Sequence, residues 1–106
     1  AGGILDTFGF GPTTIGGTQS GARNVISGNN AYGAYAIALV EIFAPTVVQG
    51  NYIGTNAAGT DGLGNFGGIF TDFHSVNLIG GTAANAGNLI SNPFRRSIYS
   101  TVFCKL

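Results

Sequence analysis

"TIGGTQSGARNVISG", from Thr14 to Gly28, and "LIGGTAANAGNLISN", from Leu78 to Asn92, agree at eight of fifteen aligned positions although 64 residues separate them. Repetition at this scale in a chain of 106 residues points to a unit that is wound more than once. The pattern runs small or polar, β-branched, Ile or Val, polar, then Gly or Asn. It occurs as "TTIGG" at 13–17, "NVISG" at 24–28, "TVVQG" at 46–50, "NLIGG" at 77–81 and "NLISN" at 88–92. A second element places an apolar pair behind a glycine or small residue: "GGIL" at 2–5, "AYAIAL" at 34–39, "GGIF" at 67–70 and "RSIY" at 96–99. Taking Ile4, Ile37, Ile69 and Ile98 as equivalent, the steps are 33, 32 and 29 residues. That spacing predicts three coils and part of a fourth.

Each apolar element is short, β-branched and bounded by Gly, Asn or Pro, the punctuation of strands. None keeps a helical period, and 19 glycines disfavour long helices. No coil of this size can bury its own apolar edge, but coils stacked above and below bury it together. The expected ladders are parallel, about 4.8 Å apart. The two opening stretches are then one corner of the coil, met two coils apart.

The stretches "NVISGN" at 24–29, "VVQGNYIGTNAAGTDGLGN" at 47–65 and "NLIGGTAANAGNLISN" at 77–92 resemble right-handed parallel β-helix repeats of large bacterial secreted and cell-surface proteins. The resemblance covers about residues 2–92, and "GNYIGTNAAGT" at 50–60 is its most specific piece. It implies an all-β fold, a right-handed parallel β-helix (solenoid) of about three coils plus a partial fourth over residues 1–92. It implies no single activity, because such helices carry lyases, hydrolases, adhesins and passive stalks alike. Residues 93–106, "PFRRSIYSTVFCKL", lose the glycine and asparagine grammar and read as a partial coil or C-terminal cap. Strands of the family usually run apolar-x-apolar, whereas the second slot here holds Asp6, Leu39 and Thr71. A core-facing Asp6 is costly unless paired, so coil 1 is expected to be shifted in register or frayed.

Charge narrows the function classes. Only 8% of residues are charged, four basic against four acidic, so there is no electrostatic footprint for nucleic acid. The longest apolar run, about residues 34–40, is too short for membrane insertion as a spanning helix. The single cysteine, Cys104, allows neither an intrachain disulfide nor a cysteine-rich metal cage. Without a starting Met or a leader hydrophobic region, the chain is expected to be a mature product or an excised fragment.

The candidate chemistry is sparse. Asp6, Glu41, Asp61 and Asp72 are the only carboxylates. Glycoside cleavage usually needs a pair about 5–5.5 or 6.5–9.5 Å apart. Asp6 and Asp72 sit two coils apart, about 9.6 Å of rise, with His74 and Arg95 able to complete a polar groove. That set is the nominal site of the alternative reading, a polysaccharide lyase or hydrolase fragment of β-helix type. Asp61 stands in "GTDGLGNFGG" at 59–68, which lacks the ligand spacing of a calcium loop, so no metal and no cofactor are expected. The loop 55–65 is an insertion that lengthens coil 2 and protrudes, making Asp61 a ligand-binding candidate.

Phe10, Phe43 and Phe73 or His74 precede Ile15, Val48 and Ile79 by five or six residues. They are expected to stack in the core, or, if they face outward, to form a platform for sugar rings. Phe8, Phe66, Phe70 and Tyr52 are read as core or loop anchors. Asn24 and Asn88 occupy equivalent corners, with Asn29, Asn51 and Asn77 near related turns, and their amides are expected to satisfy one another along the axis. Phe43, Phe73, Asn51 and Asp61 are thus the ligand-binding candidates. The leading expectation is a structural and adhesive repeat segment of a secreted or cell-surface protein. It would bind carbohydrate or another protein and associate end to end through its open sheet edges.

Overall fold

The computed structural model describes residues 2–29, 31–40, 44–72, 76–91, 98–100 and 104–105. Eleven strands follow one another with no helix among the described residues: β1 (Ile4–Thr7), β2 (Thr13–Gly16), β3 (Val25–Ile26), β4 (Tyr35–Val40), β5 (Pro45–Gln49), β6 (Tyr52–Ile53), β7 (Gly67–Thr71), β8 (Val76–Ile79), β9 (Leu89–Ile90), β10 (Ile98–Ser100) and β11 (Cys104–Lys105). They form three sheets whose strand order advances by three in sequence: β1-β4-β7-β10, β2-β5-β8-β11 and β3-β6-β9. All the pairs are parallel. The chain therefore visits the sheets in rotation and returns one strand higher each time, an arrangement compatible with a β-solenoid.

The register places like over like. Ile4, Ile37, Ile69 and Ile98 align in the first sheet, as their spacing predicts. Ile15, Val48 and Ile79 align in the second, and Ile26, Ile53 and Ile90 in the third. Side chains from the described members of these columns, joined by Ala36 and Leu39, make one interior cluster. Branched residues repeat well at parallel-strand spacing, because each nests on the one below without turning its stiff χ1. The five similar apolar segments fall into two sheets rather than one. "TTIGG", "TVVQG" and "NLIGG" supply β2, β5 and β8, whereas "NVISG" and "NLISN", with "NYIG" at 51–54, supply β3, β6 and β9.

Coil 1 is neither shifted nor frayed. β1 pairs with β4 in the register Ile4↔Ile37 and Asp6↔Leu39. The half-buried Asp6 carboxylate accepts a hydrogen bond of 2.8 Å from Thr13 Oγ1 across the corner, which offsets much of its desolvation. Beyond Asn92, β10 and β11 continue the first two sheets, the latter aligning Cys104 with Asn77.

The corner between the second and third sheets comes in two lengths. Val48 and Asn51 are three residues apart, whereas Ile15 to Asn24 and Ile79 to Asn88 each span nine. Coils 1 and 3 therefore carry a six-residue loop that coil 2 lacks, and the opening repeat is the sequence of those loops.

Candidate functional site

Three features of the described surface and interior bear on function: an amide column, an aromatic outer face and the scattered carboxylates. The column stands where the chain turns into the third sheet. Asn51 is fully buried, and its Oδ1 accepts from both the backbone N–H and Nδ2 of Asn24, each at 3.1 Å. Its own N–H and Nδ2 donate to Asn88 Oδ1 at 3.0 Å, and Nδ2 also reaches Ile15 O at 3.0 Å. Asn88 repeats the motif by donating from Nδ2 to Val48 O at 2.9 Å. A second, shorter column pairs Asn29 with buried Asn65, whose Nδ2 bonds Ile26 O at 3.0 Å. Asn51 is therefore an internal brace with its amide fully engaged. Asn77 belongs to neither column. It lies in β8 over Thr46, and Thr46 Oγ1 and both side-chain polar atoms of Asn77 are buried without a partner.

The aromatic side chains that the structure describes sit outside the coil, not in its core. On the outer face of the first sheet the Tyr35 ring lies across Gly67, where a Cβ would come within 2.2 Å of it. Its centroid is 5.7 Å from Phe66, edge-on, and 5.3 Å from Phe70. Tyr32, 90% exposed, leans on Phe66 at 5.0 Å. Phe66 and Phe70 are thus half-buried members of an external cluster, Phe8 is 61% exposed, and Tyr52 is a half-buried ring on the outer face of the third sheet. The interior leaves them no room, because its columns are filled by Ile, Val and Leu. Beside the cluster a groove of about 170 Å³ runs between Leu5 and Tyr35, floored by Ala38, Gly2 and Gly33. Of the proposed aromatic column, Phe10 is 80% exposed, and Phe43, Phe73 and His74 lie outside the described residues.

The carboxylates do not converge into a described pair. Asp6 shares its column with Leu39 and Thr71, and Asp72 stands one residue further on, its N–H donating to Leu39 O at 3.2 Å. Arg95 also lies outside the described residues. Asp61 belongs to a small hairpin closed by the antiparallel bridge Thr55↔Gly62. There Asn56 Oδ1 accepts from Thr60 N–H at 2.9 Å, and Asp61 O accepts from Asn56 N–H at 2.9 Å. The hairpin folds onto the third sheet, with Gly59 against Tyr52 and Leu89. Among the described residues no group of three His, Cys, Asp or Glu side chains could hold a metal ion. No helix among them is long and apolar enough to cross a membrane.

The position of Asn51 in its column was legible as a corner asparagine, but its inward aim was not. The external placement of Phe66 and Phe70 escaped the sequence, because "YAIALV" and "GGIFT" are apolar on both faces and period two cannot say which one is inside. Comparisons of this chain with protein-family models, with curated proteins and with solved structures return no match.

Proposed function

We propose that this chain is a segment of a right-handed parallel β-helix, serving as a stiff structural and adhesive repeat of a secreted or cell-surface protein, and that it binds carbohydrate. The observation that carries this reading is the ring cluster Tyr32, Tyr35, Phe66 and Phe70 on the outer face of the first sheet, next to the groove between Leu5 and Tyr35. The C–H face of a sugar ring is apolar and stacks on an aromatic face, while a rigid sheet holds the rings without further ordering on binding. An exposed apolar cluster on a chain with so few charges is also the feature expected of an interaction surface. Neutral or weakly charged glycans suit it best. The same reading includes association of segments end to end through their sheet edges.

A glycan array on the purified chain, run beside a reducing-sugar assay, tests the reading. Retained array binding that falls about tenfold or more in Tyr32→Ala and in Tyr35→Ala, without turnover, supports it. Binding indifferent to both substitutions removes the platform. Turnover abolished by Asp72→Ala replaces the adhesive role with an enzymatic one.

A further inference from the structure

We propose that the cleft between the two long corner loops is a binding site for an oxyanion, held by Arg23; this site is separate from the aromatic face. The loops of coils 1 and 3 rise on either side of the short corner of coil 2, and the space between them, about 250 Å³, is lined by residues 17–21, Arg23, Gly50 and Asn85. Its floor is bare backbone. Gly50 has φ +71°, and a Cβ there would lie 2.2 Å from Gly17 O and 3.0 Å from Asn85 O. Gly50 N–H donates to Ala86 O at 3.2 Å and Gly17 N–H to Gln49 O at 2.8 Å, so both loops are tied to the floor between them.

Arg23 is held for use at the mouth of this space. Its Nε donates to Gly50 O at 3.1 Å, and its guanidinium carbon lies 3.9 Å from the centre of the Tyr52 ring. One face and one N–H of the fork are thereby fixed, at a cost in rotamer freedom already met before any ligand arrives. The two terminal nitrogens have no acceptor among the described residues, and no acidic side chain lines the cleft. A planar fork with its geometry set in advance is matched by the paired oxygens of a carboxylate, sulfate or phosphate.

Among the described residues the arrangement is built once. Arg23 aligns with Gly87 in the repeated loop, and Tyr52 aligns in the third sheet with Val25 and Leu89, neither of which offers a ring. Thr18, Gln19, Ser20 and Asn85 line the same cleft, residue types whose hydroxyls and amides can donate to the remaining oxygens of an anion.

The test is a titration of the ¹⁵N-labelled chain with sodium sulfate, sodium phosphate and sodium acetate, each at constant ionic strength against sodium chloride. Saturable shifts confined to the amides of residues 18–21, Gly50 and Asn85 are expected from at least one of the three, which names the preferred oxyanion. Arg23→Gln should weaken that binding about tenfold or more, and Arg23→Lys, which keeps the charge but loses the fork, should weaken it about as much. Tyr32→Ala should leave it unchanged, so failure of the aromatic platform and failure of this cleft read out separately. Shifts that grow linearly with any salt overturn the proposal. So does saturable binding that survives Arg23→Gln in a variant whose Asn51 and Asn88 amides keep their native positions.

Discussion

Two polar columns run through the same narrow interior and are treated in opposite ways. At the turn into the third sheet, Asn24, Asn51 and Asn88 hand hydrogen bonds from coil to coil, and Asn51 engages both its amide oxygen and its amide nitrogen. At the turn into the second sheet, Thr13, Thr46 and Asn77 stack in equally good register, but only Thr13 has a partner, the Asp6 carboxylate. Thr46 Oγ1, Asn77 Oδ1 and Asn77 Nδ2 are buried and unpaired. Register alone therefore does not satisfy a buried polar group. The first column succeeds because the amides of Asn51 and Asn88 also meet a backbone carbonyl one coil below, Ile15 O and Val48 O. A threonine hydroxyl beneath an asparagine has no such third party.

The largest expected effect comes from breaking the satisfied column. Asn51→Leu removes two donations and two acceptances at a fully buried site and should cost about 3–5 kcal/mol, read as a fall in the urea midpoint at constant m-value. Asn51→Asp should cost nearly as much, since it sets oxygens against Ile15 O and Asn88 Oδ1. Close behind it is Gly54→Ala. Gly54 has φ +78°, and a Cβ would stand 1.8 Å from Ser91 O one coil above, so about 2–4 kcal/mol should be lost. Gly33 shares that φ but faces open space, and Gly33→Asn should cost about 1 kcal/mol or less. The contrast would show that close coil contact, and not φ alone, makes the corner intolerant.

Smaller effects probe the unsatisfied column. Thr13→Val takes the hydroxyl from Asp6 and should destabilise by about 1 kcal/mol. Thr46→Val is nearly isosteric and deletes an unpaired hydroxyl, so it should raise stability by up to about 1 kcal/mol. A loss of that size instead would mean that the hydroxyl has a partner in solution, a bound water being the simplest.

Spacing alone was enough to align Ile4 with Ile37, Ile69 and Ile98, because a column of identical branched residues leaves the same trace each time the chain passes. Splitting the five apolar segments between two sheets was beyond it. Thr14-Ile15 and Val25-Ile26 present the same kind of edge, and an asparagine just before the pair does not separate the sheets. Asn77 precedes Leu78-Ile79 in the second as Asn24, Asn51 and Asn88 precede their pairs in the third; only the register sorts them. Asp6 misled for a related reason: its partner, Thr13, is the neighbour across a corner, and no period describes a corner. Arg23 drew no notice because Tyr52, the ring it covers, is 29 residues away and becomes a neighbour only when the coils close.

The asparagine column also has a sense of direction. Every hydrogen bond between its amides points the same way, from Asn24 to Asn51 and from Asn51 to Asn88. The stack thus opens on a carbonyl oxygen and finishes on N–H groups, like a row of magnets laid north to south. Two copies meeting about a twofold axis at the Asn24 end would set oxygen against oxygen. A head-to-tail neighbour would prolong the row, the kind of heterologous contact that builds filaments.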